Sequence, residues 1–157
     1  MTLADLCARL DGATVSGDGR VEVQSVSHDS REVTEGTLFV ALPGRRTDGT
    51  RFIEMALRNG AVAIAVSSTV ELECAVPVLR LTSPRSDLAT IAAEVYGRPA
   101  DTLRMVGVTG TNGKSTVSTL VAEICVAANV VEGLIGTIDH RIAGTVQPAE
   151  FTTPEAP

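Results

Sequence analysis

The chain has 157 residues, a formal net charge of −6 and a pI near 4.9, with 44% hydrophobic and 20% charged residues. That balance excludes a disordered or fibrous chain and argues against a general nucleic-acid or membrane-surface binder; an anionic ligand would need a local positive site. Aromatics make up only 3%, with no Trp, so the core must be aliphatic, which suits a mostly parallel sheet buried on both faces.

The N-terminal segment MTLADLCARLDG carries Asp5 where a signal peptide needs a basic region, and no apolar run reaches the ~18 residues of a membrane span. Leu3, Leu6, Cys7 and Leu10 share one helical face, with Gly12 as the stop. Val21, Val23 and Ser25 alternate as a strand and lead into Ser27-His28-Asp29-Ser30-Arg31. Residues 37–42 (TLFVAL) form an apolar run between Gly36 and Pro43-Gly44, a buried strand. A helix is predicted over 51–59 through Phe52, Met55 and Ala56, ended by Gly60. Residues 61–67 and 76–81 read as two further strands, and Pro84 opens a helix with Leu88, Ile91, Ala92 and Val95 on its buried side.

Strands alternating with helices at this spacing predict βαβ units and a largely parallel sheet. Gly97-Arg98-Pro99-Ala100-Asp101 is the expected boundary between a domain at 1–100 and a second region at 103–157. In that second region, 103–108 reads as a strand, the segment after Thr116 as a helix and 133–138 as a weaker strand, while 139–157 carries little pattern. Cys7, Cys74 and Cys125 are odd in number and lack metal-ligand spacing, so they read as reduced, buried thiols of a cytoplasmic protein.

The strongest chemical signal is Thr109-Gly110-Thr111-Asn112-Gly113-Lys114-Ser115-Thr116. A glycine-rich loop ahead of a helix lets backbone N–H groups wrap phosphate oxygens, and the helix terminus adds partial positive charge. Gly110 and Gly113 permit positive φ and close approach. Lys114 would reach the terminal phosphates of a nucleotide, and the Ser115 hydroxyl would ligate Mg²⁺. Val108 occupies the first glycine position of the strict P-loop pattern, so the bland alternative is a Gly-rich turn with a surface lysine.

Residues 106–116 (VGVTGTNGKST) resemble the ATP loop of the Mur ligases, whose form likewise lacks that first glycine. His28-Asp29-Ser30-Arg31, residues 36–42 and Asp48-Gly49 resemble the family's N-terminal domain in order and spacing. Pro84-Arg85, Ile91-Ala92-Ala93 and Tyr96-Gly97 resemble its last helix, and Gly136-Thr137-Ile138 with Thr152-Thr153-Pro154 resemble the segment that meets the muramoyl substrate. The downstream part is most similar to the branch that adds the third residue of the peptidoglycan stem peptide.

The resemblance implies a Rossmann-like α/β domain with a mostly parallel sheet, followed by the first part of a P-loop ATPase domain. It implies an ATP- and Mg²⁺-dependent ligase acting on UDP-MurNAc-L-Ala-D-Glu and an amino acid, meso-diaminopimelate or L-lysine, through an acyl phosphate. Residues 110–116 would bind the nucleotide phosphates, with Lys114 catalytic. His28 and Ser30 would lie beside the uridine, Arg45, Arg46 and Thr47 would meet the UDP moiety, and Thr152 and Thr153 the muramoyl peptide. Phe151 departs from the polar residue of some relatives. Taken singly, Asp29-Ser30-Arg31 is more often a turn, Arg45-Arg46 a solvated charge pair and His28 a surface or capping side chain. Half of an ATPase sheet would leave open edges, so the 157 residues by themselves are expected not to ligate. A non-catalytic module that holds a UDP-sugar is the alternative reading.

Overall fold

The computed structural model describes residues 1–44 and 48–149, which fall into two compact units dividing between Leu103 and Arg104. In the first, the Thr2 hydroxyl caps helix α1 (Leu3–Cys7) by accepting from the Asp5 N–H at 3.1 Å. Strands β1 (Thr14–Ser16), β2 (Ser25–Ser27) and β3 (Thr37–Val40) follow. A 3₁₀ turn at Gly49–Phe52 runs into helix α2 (Ile53–Arg58), then come strands β4 (Ala61–Ser67) and β5 (Val78–Leu81) and helix α3 (Pro84–Val95).

The five strands form one sheet in the order β1-β5-β4-β3-β2. Strands β2 to β5 pair in parallel, with Val26 opposite Leu38, Phe39 opposite Ile64 and Ala65 opposite Leu79. Strand β1 closes the edge antiparallel, Val15 against Leu79. The mostly parallel α/β architecture expected from the sequence is present.

Side chains alternate across this sheet with the period of two that a strand imposes. Leu38, Val40, Ala63, Ala65, Leu79 and Leu81 cluster with Leu3 and Leu6 of α1 and Leu88 and Ile91 of α3. Phe39, Ala41, Ile64, Val66 and Val78 cluster instead with Ile53 and Ala56 of α2. Both faces are therefore apolar, which is why these strands read as continuous aliphatic runs. Gly49 is required by close packing: a Cβ there would stand 2.7 Å from the Leu42 nitrogen.

The expected strand through Val21 and Val23 does not form; β2 begins at Ser25. The chain at 21–23 pairs with the N-terminus, Leu3 N–H donating to Val21 O and Val23 N–H to Met1 O, each at 2.9 Å. Those partners lie 18 and 22 residues away (21 − 3 and 23 − 1), so local alternation could not reveal them.

The second unit holds helix α4 (Lys114–Ala127) and strands β6 (Gly133–Ile135), β7 (Asp139–Ile142) and β8 (Thr145–Pro148), an antiparallel meander in that order. The strand expected at 103–108 is absent, and Met105 and Val106 are 75% and 70% exposed. A strand persists through a hydrogen-bonded neighbour, and no described strand pairs with this segment. Conversely, 139–148 is more ordered than its sequence pattern promises. Ala143 and Gly144, at φ +49° and +80°, make the two-residue turn between the paired Ile142 and Thr145. Positive φ at both central positions matches the twist of a hairpin.

The three cysteines are free, as expected, but half-buried rather than buried. No helix among the described residues is long and apolar enough to cross a membrane.

Candidate functional site

The loop 109–116 opens α4 in the second unit. Gly110 and Gly113 adopt φ +148° and +78°, backbone that favours glycine. Gly113 is the N-cap of α4, and the helix has no acidic residue in its first turn. The unpaired N–H groups of this helix terminus and the helix dipole therefore favour an anion there. Thr111, Asn112, Gly113 and Lys114 are all exposed.

The Lys114 ammonium folds back over the loop and donates to the Gly110 carbonyl at 2.6 Å. Phosphate oxygens are stronger, charged acceptors for the same donors. Ser115 sits half-buried in the first turn with its hydroxyl 3.4 Å from that of Thr137, while Ser118 donates to the Ser115 carbonyl at 3.1 Å. Among the described residues no group of three or more His, Cys, Asp or Glu is arranged to hold a metal ion. A hydroxyl completed by phosphate oxygens and water nevertheless suits Mg²⁺, which keeps much of its hydration shell.

In the first unit, a cleft of about 400 Å³ is lined by His28, Asp29, Ser30, Arg31, Phe52 and Met55. The turn after β2 builds one wall: the Ser27 hydroxyl accepts from Asp29 N–H at 3.0 Å and donates to Asp29 O at 3.1 Å. The Asp29 carboxylate accepts from the Arg31 main-chain N–H and Nε, both at 2.9 Å. Those bonds, led by the one from the Arg31 side chain, hold the Asp29 carboxyl down at about 2. Asp29 thus locks the turn as an anion.

Ser30 is buried, and its hydroxyl donates to the Met55 sulfur at 3.3 Å. A thioether is a weak acceptor, readily exchanged for a carbonyl or phosphate oxygen. The Ser30 carbonyl accepts from Asn59 Nδ2 at 2.8 Å, tying the turn to the end of α2. His28 is exposed at the cleft rim. Sequence reasoning singled out His28 and Ser30 but not Phe52 and Met55 as their neighbours. Read along the helix predicted over 51–59, those two look like core positions; their 38% and 44% exposure marks them as cleft walls. Arg45, Arg46, Thr47, Thr152 and Thr153 lie outside the described residues. Asp48, just after the first three, caps the 3₁₀ turn by accepting from Thr50 N–H at 2.9 Å, and that bond leads in lowering its pKa.

A parallel α/β sheet in one unit and a glycine loop opening a helix in the next define a nucleotide-binding class of protein. Comparison with known proteins makes this specific. The Mur ligase family, catalytic domain, matches residues 22–104, and the Mur ligase middle domain matches residues 108–157. The chain belongs to the Mur ligase family. It is similar, at 38% identity over 99% of its length, to the UDP-N-acetylmuramoyl-L-alanyl-D-glutamate–2,6-diaminopimelate ligase of Geobacter sulfurreducens. To the ligase of that name from Alkaliphilus metalliredigens it is 35% identical, again over 99% of the chain. It spans about a third of those relatives, 31% and 32% of their lengths.

A solved structure of a ligase of the same name aligns with a TM-score of 0.69 and 28% identity, covering 99% of this chain and 31% of that one. The MurF ligase of Thermotoga maritima in complex with ADP aligns with a TM-score of 0.54 and 34% identity, covering 68% of this chain and 24% of that one.

Proposed function

We propose that the chain is the substrate-binding and nucleotide-loop portion of an ATP-dependent ligase that extends UDP-N-acetylmuramoyl-L-alanyl-D-glutamate. Residues 1–100 are its UDP-substrate domain, and residues 103–157 are the start of its ATP-binding domain. The observation that carries this reading is the loop at 110–116, with two positive-φ glycines, an exposed lysine and a helix N-terminus free of acidic residues. The family membership and the names of the relatives supply the reaction class, and those names favour diaminopimelate over lysine as the added residue. The ADP complex of the Thermotoga relative supports nucleotide use. A nucleotide-linked substrate and free thiols go with action in the cytoplasm.

In this reaction ATP transfers its terminal phosphoryl group to the D-glutamyl carboxylate, and the incoming amine then displaces phosphate from the acyl phosphate. The backbone N–H groups of 110–113 bind the phosphates, and Lys114 leaves the Gly110 carbonyl to neutralise the transferring group. Mg²⁺, held by Ser115 and phosphate oxygens, would supply further charge neutralisation there. In the first unit the anionic Asp29 fixes the turn that presents His28 and Ser30 to the uridine. Arg45, Arg46 and Thr47 receive the diphosphate, where guanidinium forks bind oxygens in pairs. Thr152 and Thr153 receive the muramoyl peptide.

The test is a pair of NMR titrations of the whole chain, one with UDP-N-acetylmuramoyl-dipeptide and one with ADP and MgCl₂. The first should shift the amides of 28–31 and the second those of 109–116, and Lys114→Ala should weaken only the second. Absence of both responses at millimolar ligand, or an ADP response that survives Lys114→Ala unchanged, would sink the reading.

A further inference from the structure

The nucleotide loop ends at Thr116, yet a hydroxyl from farther along the chain stands against it. Thr137 Oγ1 lies 3.4 Å from Ser115 Oγ across 22 residues of sequence. The turn that carries Thr137 is fixed, with Gly136 N–H donating to the Asp139 carbonyl at 3.1 Å. Farther along α4 the meander is tied again. Arg141 donates through Nη1 to Glu123 of the helix at 3.0 Å and through Nε to Asp139 of its own strand at 3.2 Å. Two separate attachments therefore set the β6–β7 turn along α4, one of them at the Ser115 hydroxyl.

A hydroxyl that ligates a cation uses an oxygen lone pair, so its own hydrogen must point to an acceptor elsewhere. Ser118, one turn on, is engaged with the Ser115 carbonyl rather than its hydroxyl. Thr137 Oγ1 is the side-chain oxygen facing Ser115 Oγ. At 3.4 Å the pair is longer than the usual hydroxyl contact of about 2.7–2.8 Å, so the bond requires the two side chains to draw closer.

We propose that Thr137 is a positioning residue of the nucleotide site: it accepts the Ser115 O–H and thereby turns the Ser115 oxygen toward a phosphate-bound divalent cation. The inference rests on the nucleotide-loop reading and deepens it. Thr137 touches neither phosphate nor cation in this role and acts through Ser115. A structural role alone would weaken binding whether or not metal is present. A positioning role acts only on the metal-dependent part.

The experiment measures ADP affinity of the whole chain with MgCl₂ and, separately, with EDTA. The proteins are the parent, Thr137→Val, Thr137→Ser, Ser115→Ala and the double variant Ser115→Ala/Thr137→Val. Thr137→Val keeps the shape and removes the hydroxyl, and should lose about threefold to tenfold in affinity with Mg²⁺, the worth of one hydrogen bond. It should lose nothing in EDTA, and Thr137→Ser should keep the parent affinity. In the Ser115→Ala background, Thr137→Val should add no further loss. An equal loss with and without metal, no loss with Mg²⁺, or an additive loss in the double variant would overturn the role of Thr137. A parent protein whose ADP response matches that of Lys114→Ala would overturn the loop reading itself, and this inference with it. Parent binding with unchanged Thr137→Val overturns the inference alone.

Discussion

In the first unit Leu38, Phe39, Ile64 and Leu79 are wholly enclosed, whereas in the second Leu120, Ile124 and Ile135 remain 57%, 67% and 71% exposed. The two regions have similar raw material, aliphatic side chains on strands and helices, and put it to different use. The parallel sheet of the first is covered on both faces, so each strand's register is fixed by packing from two sides. Among the described residues of the second, Ala122 is the one buried apolar side chain. Its arrangement depends on backbone hydrogen bonds, the Arg141 ion pairs and the turn at Ala143-Gly144. Such a region opens at lower free energy than a packed sheet. The phosphate loop thus belongs to the unit that these 157 residues leave mostly uncovered, and the His28–Arg31 cleft to the one whose core they fill.

Core truncation should separate the two regions most sharply. Phe39→Ala is expected to destabilise the first unit by about 3–5 kcal/mol through lost burial and the cavity left behind. Ile124→Ala, on the exposed face of α4, should change stability by less than about 0.5 kcal/mol. Urea unfolding followed separately in each unit by NMR checks both values. A large cost at Ile124 would break the comparison.

Lys114→Ala comes next. Removing a charged donor from the phosphates should weaken ADP binding about tenfold to a hundredfold, while leaving the unfolding midpoint of the first unit unchanged. Calorimetric titration alongside circular dichroism melting measures the two effects. A shift of the first unit's midpoint would mean that the lysine supports the fold as well as the ligand.

Glycine substitutions sharpen the contrast on a smaller scale. Gly49→Ala puts a Cβ against the main chain of Ala41 and Leu42 and should cost about 1–3 kcal/mol. Gly133→Ala meets nothing within 4 Å and should be close to neutral. Thermal melts of the two variants decide this. Equal effects would show that the packing difference is smaller than the exposures indicate.

The smallest effect concerns pH. The Asp29 carboxyl is depressed in the folded chain to about 2. It therefore adds stability that is present above the ordinary carboxylate range near 3.9 and is lost as the pH falls from about 4 through about 2. The Arg31 side chain is 80% exposed, so solvent screening leaves about 1 kcal/mol at neutral pH. Asp29→Asn should lower stability by that amount at pH 7 and by almost nothing at pH 2. A penalty that persists at pH 2 would show that the turn needs the side chain's shape rather than its charge.

The sequence by itself determined those elements whose signal is complete within their own segment. Residues 61–67 became β4 residue for residue, and Pro84 opened α3 at its first turn, because an unbroken aliphatic run and a proline at N1 act within their own segment. The phosphate loop was legible for the same reason, since its glycines, lysine and hydroxyls are contiguous. The tertiary structure decided what depends on a partner distant in the chain. Val15 joined the sheet by pairing with Leu79, and 21–23 left it by pairing with the N-terminus. Residues 103–108 lacked a neighbour and formed no strand, while the weakly patterned 139–148 folded as a hairpin against β6. The cleft walls Phe52 and Met55, and the meeting of Thr137 with Ser115, belong to this second kind. A helix or a glycine loop satisfies its hydrogen bonds within a few residues. A strand or a site wall is completed only by whatever the rest of the chain brings beside it.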